Sequence, residues 1–394
     1  MALKKVMIVG ASALQVPIIQ KAKELGYEVG VVDFNPNAVG IKYADWFHNV
    51  STIDANGVCK ATEEFEASGI TTVATDMPMR AIAYTCDKLG LIGISEETAL
   101  NATDKARMIK KFEEFNVPHS RYSVVENKKI EEIKENIIYP CICKPVDNSG
   151  SRGVIIANND SELHSGIEYS YENSRSGTVI VEELLIGREI SVEAFAVNGS
   201  FYVIQITDKI TTGAPHFVEM GHSQPSEAIA TMYQEIYDIT AKAMLAVGIQ
   251  NGPAHVEMML TESGPKLIEI GARLGGDFIT TDLVPLSTGI DILAATIRLA
   301  CGDKVDIEPK FNRASAIRYM KTGIGKIKSI TGLEEASEIN GVYRVSMQKN
   351  IGDMAEEICD SIDRVGYVIA QGESIEEASS ICEKALKKIA VKVE

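Results

Sequence analysis

Among 394 residues there is no apolar run approaching 18 residues, a single tryptophan, and 39 basic side chains against 55 acidic ones. The missing apolar run excludes an ordinary membrane-spanning helix. The first residues, MALKKVMIVG, enter a strand pattern at once instead of showing a charged start, an apolar stretch and a cleavage site. The expected address is therefore the cytoplasm. The deficit of basic groups gives a formal charge of −16. That charge opposes nonspecific attraction to nucleic acid or to anionic membranes, so neither is an expected partner. Any phosphate ligand must be held by locally placed groups. The seven cysteines lack CxxC and Cys/His metal spacing and read as reduced core thiols. Cys141 and Cys143 lie two apart on a strand, which puts both on one face and favours packing over redox chemistry.

Two nucleotide motifs are also missing. No GxxxxGK[ST] occurs, and the turn after the first strand, GASALQVP, supplies only the first glycine of a GxGxxG fingerprint. A plain strand-to-helix turn is the better reading there.

What is present is a length that calls for two or three domains and a composition, 45% hydrophobic and 24% charged, typical of folded globular chains. Strand and helix signals alternate through the first ninety residues: KKVMIVG, ALQVPIIQKAKELG, YEVGVVDF, a helix near 56–68, GITTVATD and PMRAIAYTCDKLG. Such alternation predicts a parallel sheet with crossover helices. Ser95 and Asp104 are placed to cap two short helices. The expected units are 1–95, a parallel α/β domain; 96–116, a helical linker; 117–186, a small α/β lobe; 187–310, a larger lobe; and 311–394, a small α+β lobe.

Three constellations carry the chemistry. The first is the hairpin AHVEMMLTESGPKLIEIGARLGGD, with Glu257 and Glu269 each six residues from Ser263. In a simple hairpin they face each other, with Cβ atoms ~5 Å apart, an arrangement that needs a cation between them. Carboxylate oxygens of this kind suit Mg²⁺ shared with substrate phosphates. A slip in register would instead leave both in solvent. Arg273 lies at the same parity beyond Glu269 and could stabilise charge on a transferred phosphoryl group. The second is CICKPVDNSGSRGV, in which Lys144 precedes a turn with Ser149, Gly150, Ser151 and Gly153; backbone N–H groups in such a turn can cradle phosphates. Taken alone, the segment reads more simply as a glycine turn between strands. The third is TVIVEELLIGREISVEAF, where Glu182 and Glu183 end an apolar strand that breaks at Gly187, and Glu189 follows. A linker of this type can offer backbone groups to an adenine edge and a carboxylate to ribose hydroxyls.

Lys105 in TDKARMIKKF, Lys144 before the glycine-rich turn, VEELLIGRE, and the pair HVEMM and LIEIGARLGG together resemble the ATP-grasp superfamily in order and spacing. The resemblance runs over almost the whole chain. The first domain, with DFNPN, is similar to the pre-ATP-grasp domain; the next two lobes resemble the two-lobed ATP-grasp fold; and the tail resembles the last lobe of biotin carboxylase. Among subgroups the chain looks nearest to carboxylate–amine ligases of the phosphoribosylglycinamide synthetase and L-amino acid ligase types. By this resemblance the cofactors are ATP and Mg²⁺, or Mn²⁺ in its place, and the partners are a small-molecule carboxylate and an amine. A homodimer is compatible with it.

Position by position, the resemblance puts Lys105 and Lys144 on the ATP phosphates under the Ser149–Gly153 turn. It puts Glu182, Glu183 and Leu185 on the adenine, Glu189 on the ribose, Glu257 and Glu269 on the metal, and Arg273 on the acyl phosphate. In many members an asparagine two residues after the second glutamate is a third metal ligand; here that position is Gly271. Substrate groups are expected at Asp76 and Arg80 in ATDMPMR, where open α/β sheets present ligand crevices. His222 in MGHSQPS and Arg318 in SAIRYM are further substrate candidates. The implied activity is an ADP-forming ligase acting through an acyl phosphate. The alternatives are a biotin carboxylase-like or formate-using enzyme, or a nucleotide-binding regulator without turnover.

Overall fold

The computed structural model describes residues 4–130, 133, 137–148, 152–214 and 216–394. The segment KKIEEIKEN, residues 128–136, which the sequence predicts to be a helix, lies partly outside these, and Ser149, Gly150 and Ser151 lie wholly outside them.

The alternating N-terminal signals fold into a parallel sheet ordered Trp46–Asn49, Glu28–Asp33, Lys5–Val9, Gly69–Thr71. Its apolar runs are continuous because both faces are covered, as parallel sheets require. Met7, Val9 and Val32 pack into one core, and Val6, Ile8, Val29 and Val31 into another. The edge strand Trp46–Asn49 was not among the expected strands. It is short and only half-buried, so its composition gives no alternating signal. The turn after the first strand is filled from within. Gln15, nearly fully buried, accepts the Ser12 N–H and hydroxyl and donates to the Val73 carbonyl. The same sheet delivers Asp76 to the turn between strand Gly69–Thr71 and helix Met79–Leu89.

Both expected caps form. Ser95 Oγ accepts the Thr98 N–H at 3.1 Å, starting helix Glu96–Thr103. The Asp104 carboxylate accepts the Ala106 and Arg107 N–H groups, starting Lys105–Glu114. Capping of this kind contributes about 1 kcal/mol per helix. The Lys105 N–H donates to the Val146 carbonyl, tying this linker to the small lobe.

The small lobe is an antiparallel four-stranded sheet ordered Tyr122–Glu126, Thr178–Glu183, Cys141–Pro145, Ile155–Ala157, covered by helix Asp160–Glu172. The chain leaves it through Gly187, where any Cβ would lie 2.1 Å from the Leu260 carbonyl oxygen. Only glycine lets the hinge pass that close to the hairpin.

The large sheet has eight strands ordered Gly264–Gly271, Gly252–Thr261, Arg188–Val197, Ser200–Thr211, Glu219–Gln224, Ala314–Tyr319, Gly366–Gly372, Val342–Met347. It crosses residue 311: Glu219–Gln224 pairs directly with Ala314–Tyr319. The tail is therefore joined by hydrogen bonds to the larger lobe, while keeping its own cluster around Ala336, Val368 and Cys382. Among the described residues no single helix is long and apolar enough to cross a membrane.

Candidate active site

The hairpin places Glu257 directly opposite Glu269. The turn is a residue tighter than one centred on Ser263, since Thr261 pairs with Gly264. A bulge compensates: Met258 faces Leu267 and Glu257 faces Glu269, leaving Ile268 as the extra residue. Without it Glu257 would oppose Ile268 and Glu269 would turn to the other face.

Cations do sit against the pair, as two opposed carboxylates demand. Lys209 Nζ lies 3.1 Å from Glu257 Oε1, and Lys105 Nζ lies 2.8 Å from Glu269 Oε1. Lys209 also contacts Glu189 and approaches Glu219 at 3.6 Å, its side chain only 4% exposed. Burial alone would push the Lys209 ammonium down, but Glu257, Glu189 and Glu219 hold it well above its ordinary value. Burial likewise would raise the Glu257 carboxyl, yet Lys209 and His255 keep it well below the carboxylate range. For Glu189 burial wins over Lys209, and its pKa is raised. His255 is held in turn by Glu193 through Nδ1 at 2.5 Å, with Nε2 3.4 Å from Glu257. Burial would lower the imidazole; Glu193 raises it to about 9, so it carries charge at neutral pH.

Arg273 forms a bidentate pair with Asp76, Nε at 3.0 Å and Nη2 at 2.9 Å. The guanidinium thereby bridges the hairpin strand and the N-terminal domain. Gly271 makes room for this: a Cβ there would lie 2.8 Å from Asp76 Oδ1 and 3.3 Å from the Arg273 guanidinium. The carboxylate of Asp76 occupies the space that a longer side chain at 271 would need.

Lys144 lies on strand Cys141–Pro145, its Nζ 2.9 Å from Glu182 Oε1, and Ser120 Oγ donates to the other oxygen at 3.1 Å. Glu182 is thus committed to Lys144 and Ser120. Glu183 accepts the Arg121 N–H at 3.3 Å and lies 3.7 Å from Lys266. Glu189 is committed to Lys209, not free toward a ribose. Gly153 adopts φ +79° and folds against Pro145 and Asn173.

Most of these groups line one cleft of about 260 Å³ between the small and large lobes. It is walled by Lys144, Glu182, Glu183 and Leu185 at one end and by Asp76, Lys105, Glu269 and Arg273 at the other. Oxygen donors and ammonium groups converge here, a set that fits a hard cation bound between phosphate oxygens. Glu257 and Glu269 could supply two ligands; among the described residues no cluster of three or more His, Cys, Asp or Glu is arranged for a metal. The rest of the coordination sphere would fall to phosphates and water.

Two expected substrate residues lie elsewhere. His222 is 1% exposed and bonds to Asp277 at 2.9 Å, away from the cleft lining. Arg318 donates to the His222 and Ile317 carbonyls and to Ser223 and Ser379, stapling the sheet to the last helix. Burial lowers its pKa, against the opposing pull of Cys382 and Glu383. Lys209, Glu219 and the Glu193–His255 pair were not anticipated. Lys209 and Glu193 sit at mid-strand positions where a charge is costly unless paired, which is the signal that could have found them.

Comparison with known proteins agrees with this geometry. Residues 137–282 match the ATP-grasp domain, and residues 320–394 match the L-amino acid ligase C-terminal domain 2. The phosphoribosylamine–glycine ligase of Methanobrevibacter smithii is 28% identical over 80% of this chain and 78% of its own. The alanine–anticapsin ligase of Bacillus subtilis is 27% identical over 64% of this chain and 58% of its own. Among solved structures, an L-amino acid ligase from Bacillus licheniformis superposes with TM-score 0.86 at 21% identity, each chain covered completely. At that identity the likeness speaks for the fold. The chain is similar to ATP-grasp proteins through the domain matched at residues 137–282. More narrowly, it is related to the ATP-grasp ligases that join a carboxylate to an amine, and its tail, biotin carboxylase-like in sequence pattern, matches the L-amino acid ligase C-terminal domain.

Proposed function

We propose that the chain is an ATP-dependent carboxylate–amine ligase working through an acyl phosphate, with release of ADP and phosphate. The observation that carries this reading is the opposition of Glu257 and Glu269 on one face, flanked by Lys105, Lys209 and the Arg273–Asp76 pair.

Lys144 and Lys105 would exchange their present carboxylate partners for phosphate oxygens of ATP. Glu257 and Glu269 would hold Mg²⁺, which supplies charge neutralisation between phosphate oxygens when bound. Lys209 and His255 hold the Glu257 carboxyl ionised and in place. The substrate carboxylate would lie near Arg273, whose guanidinium can follow the charge as it moves onto the transferred phosphoryl group. The incoming amine then attacks the acyl carbon and expels phosphate. Positioning and charge stabilisation supply most of the rate in such transfers. The match of the tail to an L-amino acid ligase domain favours amino acids among the substrates.

The test is ADP and phosphate release against a matrix of carboxylic acids and amines, the L-amino acids foremost. Acid-dependent ADP release is expected. AMP in place of ADP, or no acid-dependent release with any pair, would contradict the reading.

A further inference from the structure

Beside the nucleotide cleft lies a second cavity, of about 420 Å³. It is walled by Arg80 of helix Met79–Leu89, by Thr103 and Lys105 of the linker, and by Arg175 and Ser176 of the small lobe. The two cavities share Asp76, Lys105, Asn148 and Glu269. The second contains none of the residues from Glu182 to Glu189 that wall the far end of the first.

The charges in this vestibule are unevenly matched. Lys105 is paired with Glu269, and Asp76 with Arg273. Asp147 accepts the N–H groups of Arg175 and Ser176 at 3.1 and 2.7 Å and the Ser174 hydroxyl at 3.1 Å. Burial would raise the Asp147 carboxyl, but these donors hold it below its ordinary value. Among the described residues Arg80 donates only to Thr103, through Nε to the hydroxyl at 2.7 Å and through Nη2 to the carbonyl at 3.4 Å. Arg175 uses its backbone N–H alone. Among the described residues neither guanidinium has a carboxylate partner, whereas Lys105, Lys144, Lys209 and Arg273 all do. In a chain of net charge −16, two guanidiniums lining one cavity without carboxylate partners suit an anion: each offers a planar fork matched to a carboxylate.

We propose that this vestibule binds the amine substrate, and that Arg80 and Arg175 clamp an anionic group on it, an α-carboxylate in the simplest case. The proposal rests on the ligase reading above. The acid to be activated belongs beside Arg273 and Glu269, so the amine must arrive from the side away from the nucleotide, and the vestibule opens there. Its carboxylate held by the two arginines, an amino acid would reach Asp76 and the acyl carbon with its amine end. Arg80 belongs to the N-terminal domain and Arg175 to the small lobe, so the bound anion would also draw the small lobe toward the N-terminal domain. Water would then be kept from the acyl phosphate once the amine is seated.

The experiment compares each L-amino acid with its primary amide as nucleophile, using the best acid found by trapping the acyl phosphate with hydroxylamine. The unmodified enzyme should favour the carboxylate form by tenfold or more in kcat/KM. In Arg80→Ala and in Arg175→Ala that preference should shrink by tenfold or more, chiefly through KM, with Arg→Lys at either position restoring part of it. Hydroxamate formation together with amides that serve as well as acids would overturn the clamp, as would a preference that survives both alanine substitutions. Absence of hydroxamate with every acid would remove the ligase reading, and the clamp with it.

Discussion

Glu269→Gln is expected to lower kcat/KM for acid-dependent ADP release on the order of 10²–10³-fold, the usual cost of removing one charge-stabilising group from a transfer site. Glutamine keeps the shape of the side chain and its place in the hairpin register, but it removes the charge that Lys105 meets at 2.8 Å. Lys105 would lose the partner that holds its ammonium up against burial. The Glu269 side chain is 26% exposed, so the fold should tolerate the change. Steady-state ADP release and a thermal melt, measured on the same preparation, separate the two effects. A variant that melts normally and keeps full activity would take Glu269 out of the metal site.

Asp277→Asn should act on stability instead. Asp277 Oδ1 and Oδ2 accept from Arg364 at 2.7 and 2.9 Å, Tyr319 OH donates at 2.6 Å, and His222 Nε2 lies at 2.9 Å. The Arg364 guanidinium also stacks over the Tyr319 ring at 3.8 Å, its side chain 5% exposed. Neutralising Asp277 leaves a buried guanidinium without its counter-ion, which costs about 3–5 kcal/mol. The pH dependence has a definite sign. Burial would raise the Asp277 carboxyl, but His222 and Arg364 hold it well below the ordinary carboxylate range. A carboxyl with a depressed folded pKa contributes stability that is present above its unfolded value and lost as pH falls. The contribution should therefore be constant from neutrality down to about pH 4 and fall away below. Urea midpoints of the two proteins should differ most above pH 4 and converge in stronger acid. A difference that grew on acidification would contradict the assignment.

The parts of this site that were legible in sequence are those set by local periodicity. Lys144 precedes its turn on a strand, Ser95 and Asp104 cap helices, and Glu257 and Glu269 flank a hairpin turn; each follows from neighbours a few residues away. Even there the pairing of the two glutamates depends on Ile268 as a bulge residue, which no alternation pattern distinguishes from a regular strand. The groups that were not legible are tertiary. Lys209 meets Glu257 from a strand two places away in the sheet, and Asp76 meets Arg273 across 197 residues. His222 read as a histidine in a polar loop, though it lies within strand Glu219–Gln224, and Arg318 as a cation for an anionic substrate. The fold instead spends them on Asp277 and on the sheet-to-helix staple.

Gly271 takes on a different meaning in this light. Its departure from asparagine reads in sequence as a lost ligand; in the fold it is the space into which Asp76 enters to hold Arg273. The fold sets an interdomain carboxylate–guanidinium latch beside the two opposed carboxylates, at the position where many ATP-grasp members carry asparagine.

The central claim is that a substrate carboxylate oxygen attacks the γ-phosphate of ATP. Turnover with an acid labelled with ¹⁸O in its carboxylate, followed by mass analysis of the products, tests it directly. The account predicts ADP without label and one ¹⁸O in the released phosphate. Label in AMP, or phosphate released without label, would contradict it.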